Sequence, residues 1–94
     1  MRMTVLILGL GLIGASLAKT LKKNTAHRVL GWNRTPSVAQ RALADGAIDA
    51  TGSLEELLPQ ADITIINFYP EAIVPFILEH KDLFKKDSVV TDSC

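Results

Sequence analysis

The chain has 94 residues, 48% of them hydrophobic, with 10 Lys plus Arg against 10 Asp plus Glu. That length holds one small domain, and the composition excludes a disordered chain. Zero net charge without a basic run gives no electrostatic reason to expect nucleic acid or a membrane surface as partner.

The first stretch, Met1 to Ala18, has Arg2, an apolar run and small residues at Gly14, Ala15 and Ser16, the outline of a secretory signal. It is too short and too glycine-interrupted to span a membrane. The run continues into a lysine-bearing helical pattern, and its glycines have a spacing with chemistry of its own. The expected location is therefore the cytoplasm. The single cysteine, Cys94, builds no disulfide framework and fits a reducing compartment as a fortuitous free thiol.

Thr4 to Leu8 is a continuous apolar run ending in glycine, the pattern of a strand buried on both faces. Leu12 to Lys23 places Ile13, Leu17 and Leu21 on one helical face, with lysines at the negative end and Asn24 as a stop. Arg28 to Trp32 is a second strand. Thr35 and Pro36 open a helix that runs to about Asp45, with Gly46 just beyond its end. Ala47 to Ala50 is expected as a short third strand. Ser53 with Glu56 forms a capping box for a helix over Leu54 to Leu58, which Pro59 ends. Asp62 to Asn67 reads as the fourth strand. Pro70 to His80 reads as a helix that Pro75 must shorten, kink or restart. Asp82 to Lys86 is a polar connection, and Val89-Val90-Thr91 a fifth strand.

This alternation predicts an α/β fold, a doubly wound parallel sheet of five strands in the order 3-2-1-4-5. A fifth strand with no helix after it leaves a sheet edge and an apolar face open. The expectation is a truncated piece of a longer protein, or a chain that pairs with a copy of itself.

Gly9-Leu10-Gly11-Leu12-Ile13-Gly14 matches G-x-G-x-x-G directly between the first strand and the first helix. Gly9 permits the tight turn, Gly11 lets a pyrophosphate approach the backbone, and Gly14 lets helix and strand pack closely. The N–H groups of the helix start, around Leu12 and Ile13, face the phosphates. The alternative is a glycine-rich turn that binds nothing. This is the signature of a Rossmann-type dinucleotide-binding domain.

An NAD-selective site places an acid at the end of the second strand, about 20 residues on, to bind the ribose hydroxyls. Here the residues are Asn33, Arg34 and Thr35. Asn33 can hydrogen-bond without charge, Arg34 offers a permanent planar cation, and Thr35 offers a hydroxyl or a helix cap. NADP is therefore the expected cofactor, with NAD as the alternative. Arg34 as a plain solvated charge is the bland reading.

Phe68 and Tyr69, past the fourth strand, lie on the rim where ligands of open sheets bind. They can flank the adenine or the nicotinamide ribose; alternatively Phe68 packs in the core while Pro70 starts a helix. Asp92 shares this rim. His27 and His80 are expected to be structural or solvent-facing. No metal-ligand cluster, no Ser-His-Asp set and no carboxylate pair placed for acid–base work is visible.

The stretch from Val5 to Ala18, with Gly9-Leu10-Gly11-Leu12-Ile13-Gly14-Ala15-Ser16-Leu17-Ala18 at its centre, resembles the opening of the prephenate/arogenate dehydrogenase family. The likeness continues through Gly31-Trp32-Asn33-Arg34, Ala44-Asp45-Gly46-Ala47, Ala61 to Ile66 and Val89 to Ser93. The resemblance implies oxidative decarboxylation of prephenate or arogenate in tyrosine biosynthesis, with hydride transfer to NADP. It carries Gly9, Gly11 and Gly14 to the pyrophosphate and Asn33 and Arg34 to the ribose end. Asn33 departs from the acid of NAD-using members. The family's catalytic histidine and helical dimerisation domain lie beyond these residues. Residues 1–94 would then be the dinucleotide-binding domain of a homodimeric enzyme, inactive alone. The competing readings are a 3-hydroxyisobutyrate or 6-phosphogluconate type dehydrogenase, whose Asn-Arg-Thr stretch is shared, and a non-catalytic nucleotide-sensing domain.

Overall fold

The computed structural model describes residues 2–92; Ser93 and the thiol of Cys94 lie outside the described residues. The elements are β1 (Thr4–Leu8), α1 (Leu12–Asn24), β2 (Arg28–Trp32), α2 (Pro36–Ala44), α3 (Leu54–Leu57), a 3-10 turn (Leu58–Gln60), β3 (Ile63–Ile66), α4 (Pro70–His80) and β4 (Val89–Asp92). The four strands form one parallel sheet in the order β2-β1-β3-β4. β1 is central and buried on both faces, as its unbroken apolar run requires.

Successive residues of β1 feed opposite layers. Ile7 packs with Val29, Ala18, Ala39, Ala42, Ala47 and Ile48 beneath α1 and α2. Leu6 and Leu8 pack with Leu30, Ile66, Leu57 and Leu58 on the other face, where Ile73, Phe76 and Ile77 of α4 join them. The result is a three-layer α/β/α arrangement around one sheet.

The helix ends follow their local chemistry. Ser53 and Glu56 form the expected reciprocal capping box. After α2, Gly46 takes φ 75°. Its N–H bonds the Leu43 carbonyl at 3.1 Å and the Ala47 N–H bonds the Ala42 carbonyl at 2.9 Å, a Schellman motif. α4 runs unbroken through Pro75, contrary to the expected interruption. Pro75 removes only the bond to the Glu71 carbonyl, one turn back. Glu71 and Pro75 are both exposed, so the helix loses this bond on its solvent side.

The expected third strand, Ala47 to Ala50, is not a strand: it makes one isolated parallel bridge, Leu30 with Ala50. The sheet therefore has four strands, not five. The reason lies in Asp49. Its backbone N–H bonds the Val29 carbonyl at 2.7 Å, but its side-chain Oδ2 accepts from the Val29 N–H at 2.8 Å. A carboxylate thus takes the place of a ladder carbonyl. Oδ1 pairs with Lys22 of α1. The segment covers the β2 edge, which blocks edge-to-edge pairing there. At the opposite edge β4 has no further strand beside it among the described residues, and Val89 is 58% exposed. No helix among the described residues is long and apolar enough to cross a membrane.

Burial pushes the Asp49 carboxyl up, but hydrogen bonds from Lys22 and the Val29 N–H, with the Lys22 and Arg28 charges, hold it below its ordinary 3.8. A carboxyl depressed by folding stabilises above its unfolded pKa and loses that contribution as pH falls through the folded one. Acid unfolding should therefore show a component below about pH 3.8 that Asp49→Asn removes. Asp49→Ala, which orphans the buried Val29 N–H, should cost about 1–3 kcal/mol in urea unfolding at pH 7. Conversely, Thr64 is fully buried in β3 and its hydroxyl has no partner. Thr64→Val should stabilise by about 1 kcal/mol, read as a higher melting temperature.

Candidate functional site

At the C-terminal end of β1 the chain must turn sharply into α1. The Gly9 N–H still bonds the Trp32 carbonyl at 2.7 Å, extending the ladder by one step. Gly9 then takes φ 93°, a conformation that favours glycine. A Cβ there would lie 3.0 Å from the Asn67 carbonyl oxygen. Leu10 turns back into the α1/α2 core, and Gly11 is the N-cap of α1.

The other two glycines of the motif differ from each other. A Cβ on Gly14 would sit 2.0 Å from the Gly9 carbonyl oxygen, a severe clash. Gly14 is therefore demanded by the chain's own packing. A Cβ on Gly11 would meet nothing within 4 Å. The bare backbone at Gly11 leaves room for something outside the chain. Beside it, the α1 N-terminus has no side-chain cap and no acid in its first turn. Its first N–H groups have no intrahelical acceptors, and the helix dipole makes this end positive. Lys22 and Lys23 occupy the opposite end. This is the chemistry of an anion cradle, so a dinucleotide pyrophosphate fits the residues present.

The turn opens on a groove of about 960 Å³ at the C-terminal ends of the strands. Gly9, Gly11, Leu12, Ile13 and Gly14 form one side. Trp32, Asn33 and Arg34 contribute the end of β2, and Asn67, Phe68 and Tyr69 the end of β3. Pro75, Phe76 and Glu79 of α4 form the facing wall. Leu12 is 91% exposed and Ile13 69%, large apolar side chains held at the rim.

Of the cofactor-binding residues expected from sequence, Gly9, Gly11, Leu12, Ile13, Gly14, Asn33, Arg34, Phe68 and Tyr69 line this groove and Thr35 does not. Thr35 is the N-cap of α2, and its side chain makes no capping bond. Asn33 is turned toward the glycine turn: its Oδ1 accepts from the Leu10 N–H at 2.8 Å, and its Nδ2 donates to the Thr35 carbonyl at 3.3 Å. Arg34 is exposed on the groove. Among the described residues the ion pairs are Lys22–Asp49 and Lys85–Asp62, which leaves Arg34 without a carboxylate. Phe68 packs in the α4-side core and also faces the groove, edge-on to Trp32 at 6.3 Å and to Phe76 at 5.2 Å. Tyr69 is 80% exposed at the start of α4. Asp92 ends β4 opposite Ile66 and is not part of the groove lining.

Trp32 and Asn67 lie in the expected stretches at the ends of β2 and β3 but carry no cofactor role in the sequence reading, and Phe76 and Glu79 are outside them. Phe76 and Glu79 come from the middle of a helix and reach the groove only through tertiary packing. His27 is structural, its Nδ1 accepting from the Met3 N–H at 2.9 Å. His80 bonds the Phe76 carbonyl at 2.9 Å and stacks on the Phe76 ring.

The carboxylates perturbed by folding lie elsewhere. Hydrogen bonds from Ser53 lower Glu56 in its capping box, and the Lys85 hydrogen bond, with the Thr4 N–H, lowers Asp62. Asp62 and Lys85 border a smaller hollow of about 400 Å³ at the opposite ends of the strands. Among the described residues no cluster of three or more His, Cys, Asp or Glu could hold a metal.

Residues 1–87 match the family of D-isomer specific 2-hydroxyacid dehydrogenases, NAD binding domain. The chain belongs to that family. It is an NAD(P)-binding dehydrogenase domain. It is 33% identical over 85 residues to a D-lactate dehydrogenase of Streptococcus agalactiae, covering 90% of this chain and 22% of that protein. The arogenate dehydrogenase of Synechocystis superposes with a TM-score of 0.89 at 31% identity, covering 98% of this chain and 33% of that one. The 3-hydroxyisobutyrate dehydrogenase of Mycobacterium tuberculosis gives 0.85 at 26%, covering 99% and 32%. The chain thus spans a third or less of the length of these relatives. The expected likeness to arogenate dehydrogenases has a counterpart in structure, but the family match is to a different branch of dehydrogenases. The shared ground is the cofactor-binding fold.

The contrast between the glycines is testable by thermal unfolding. Gly14→Ala must displace the Gly9 carbonyl or α1 and should cost about 1–3 kcal/mol. Gly11→Ala meets no atom of the chain and should cost less than about 1 kcal/mol.

Proposed function

We propose that the groove binds a nicotinamide dinucleotide and prefers NADP. The observation that carries this is the open space at Gly11 beside an uncapped, unacidic helix N-terminus. Gly9, Gly11, Leu12, Ile13 and Gly14 receive the pyrophosphate, the backbone N–H groups of the α1 start bonding its oxygens. Arg34, exposed on the groove without a carboxylate partner, receives a 2′-phosphate. Asn33 lacks the charge that would repel that phosphate, and Thr35 presents its hydroxyl nearby. Phe68 and Tyr69 flank the adenine or the nicotinamide ribose. When bound, the nicotinamide supplies two-electron redox chemistry toward a small-molecule substrate.

For the whole enzyme, the glycine motif and the likeness to the Synechocystis protein support a prephenate or arogenate dehydrogenase of tyrosine biosynthesis. In that reading the catalytic histidine and the helices that form a homodimer come from outside the described residues. The second reading is a hydroxyacid dehydrogenase. It is favoured by the 2-hydroxyacid family match and by Asn33-Arg34-Thr35, the stretch shared with 3-hydroxyisobutyrate enzymes.

Trp32 is the only tryptophan and lines the groove, so its fluorescence reports binding. Titration should show NADP⁺ binding more tightly than NAD⁺. Arg34→Ala should weaken NADP⁺ by about 1–3 kcal/mol, the size of a lost charged hydrogen bond, and leave NAD⁺ nearly unchanged. Equal affinities insensitive to Arg34 would sink the NADP preference. Absence of binding by either would sink the cofactor reading.

A further inference from the structure

The carbonyl of Gly9 and the N–H of Leu10 belong to one peptide group. Each is held by an asparagine, and the two asparagines come from opposite sides. Asn67, just past β3, donates its Nδ2 hydrogen to the Gly9 carbonyl at 3.2 Å. Asn33, just past β2, accepts from the Leu10 N–H at 2.8 Å. β2 and β3 are the two neighbours of β1 in the sheet. The peptide that follows β1 is thus gripped from both flanks of its own strand.

This peptide is the one most in need of restraint. Gly9 stands at φ 93°, and glycine has alternative conformations of similar energy on both sides of φ = 0. Rotation of the Gly9–Leu10 plane would exchange its N–H and C=O and reverse its dipole, next to Gly11 and the start of α1. The Gly9 carbonyl also packs against Gly14, where a Cβ would lie 2.0 Å from its oxygen. The helix start and the peptide plane are therefore set together. The Asn67 side chain is not there for its acceptor, since its Oδ1 is buried with no hydrogen-bond partner. A buried polar atom left unpaired is destabilising and calls for an explanation. The donor end of the same carboxamide, bonded to Gly9, supplies it.

We infer that Asn33 and Asn67 are a paired positioning clamp. Together they fix the plane of the Gly9–Leu10 peptide and so prepare the turn and the α1 N-terminus for a pyrophosphate. Neither needs to touch the cofactor to do so. The ligand in this inference rests on the dinucleotide reading above; the clamp itself does not, and it is testable without any ligand.

Amide hydrogen exchange of the cofactor-free chain, followed residue by residue by NMR, tests the clamp. Asn67 does not contact the Leu10 N–H, yet Asn67→Ala should raise Leu10 exchange at least tenfold while Leu6, inside β1, stays protected. Asn67→Leu, close in size and free of the unpaired acceptor, should do the same and guards against a poorly folded alanine variant. Asn33→Ala should also release Leu10, whereas Asn33→Asp, which keeps an acceptor, should not. Unchanged Leu10 exchange in both Asn67 variants would overturn the clamp. NADP⁺ titration by Trp32 fluorescence then tests its purpose. Each single alanine variant should bind roughly tenfold more weakly, and the double variant no more than about twofold below the weaker single, because both act on one peptide. Losses that multiply would mean two independent contacts and overturn the pairing. A parent chain that binds neither NADP⁺ nor NAD⁺ would overturn the dinucleotide reading, and the exchange result would still decide the clamp.

Discussion

The close approach of Gly14 to the Gly9 carbonyl governs the rest of the molecule. A Cβ at position 14 would lie 2.0 Å from that oxygen and 2.8 Å from the Asn67 amide. With only hydrogen there, α1 can begin against the end of β1 rather than one side chain further away. Its N-terminus then stands at the C-terminal edge of the sheet, beside the ends of β2 and β3. The groove, the anion cradle and the packing of α1 over Ile7 and Val29 all depend on that distance.

The sheet distributes its burial unevenly around this centre. β1 is sealed on both faces, whereas β4 is half open and α4 has no fully buried residue. Stability should follow the same gradient, highest around β1 and β2 and lowest toward α4 and β4. The groove spans the boundary. Its glycine turn sits on the firm side, and its wall of Pro75, Phe76 and Glu79 on the weaker one. Electrostatically it is divided too, with Arg34 on the β2 side and carboxylates of α4 on the other. A ligand with phosphate at one end and an uncharged or cationic ring at the other suits such a division.

The likeness to D-lactate, arogenate and 3-hydroxyisobutyrate dehydrogenases at similar identity has a physical reading. The glycine turn, the helix start and the strand ends solve one problem, holding a dinucleotide, whatever substrate is oxidised. Fold shared at this level argues for the cofactor and says little about the substrate.

The sequence alone determined what short-range chemistry controls. An unbroken apolar run made β1 a buried strand, and the spacing of Gly9, Gly11 and Gly14 placed a turn between strand and helix. Ser53 with Glu56, and Gly46 after Ala44, set helix ends whose hydrogen bonds reach only a few residues. Tertiary structure decided the rest, because those outcomes turn on partners far along the chain. Ala47 to Ala50 has strand-like composition, but the Asp49 carboxylate takes the Val29 N–H, which leaves a single bridge at Ala50 in place of a strand ladder. Pro75 reads as a point where the helix must shorten, kink or restart, yet α4 continues through it on its exposed side. Phe76 and Glu79 reach the groove only when α4 folds over the sheet. The position of Asn33 after β2 is legible in the sequence; only the folded turn shows its carboxamide bonded to Leu10, opposite an Asn67 that lies 34 positions further along the chain. Side-chain hydrogen bonds over such separations leave no periodicity in a sequence, since they depend on which strands become neighbours.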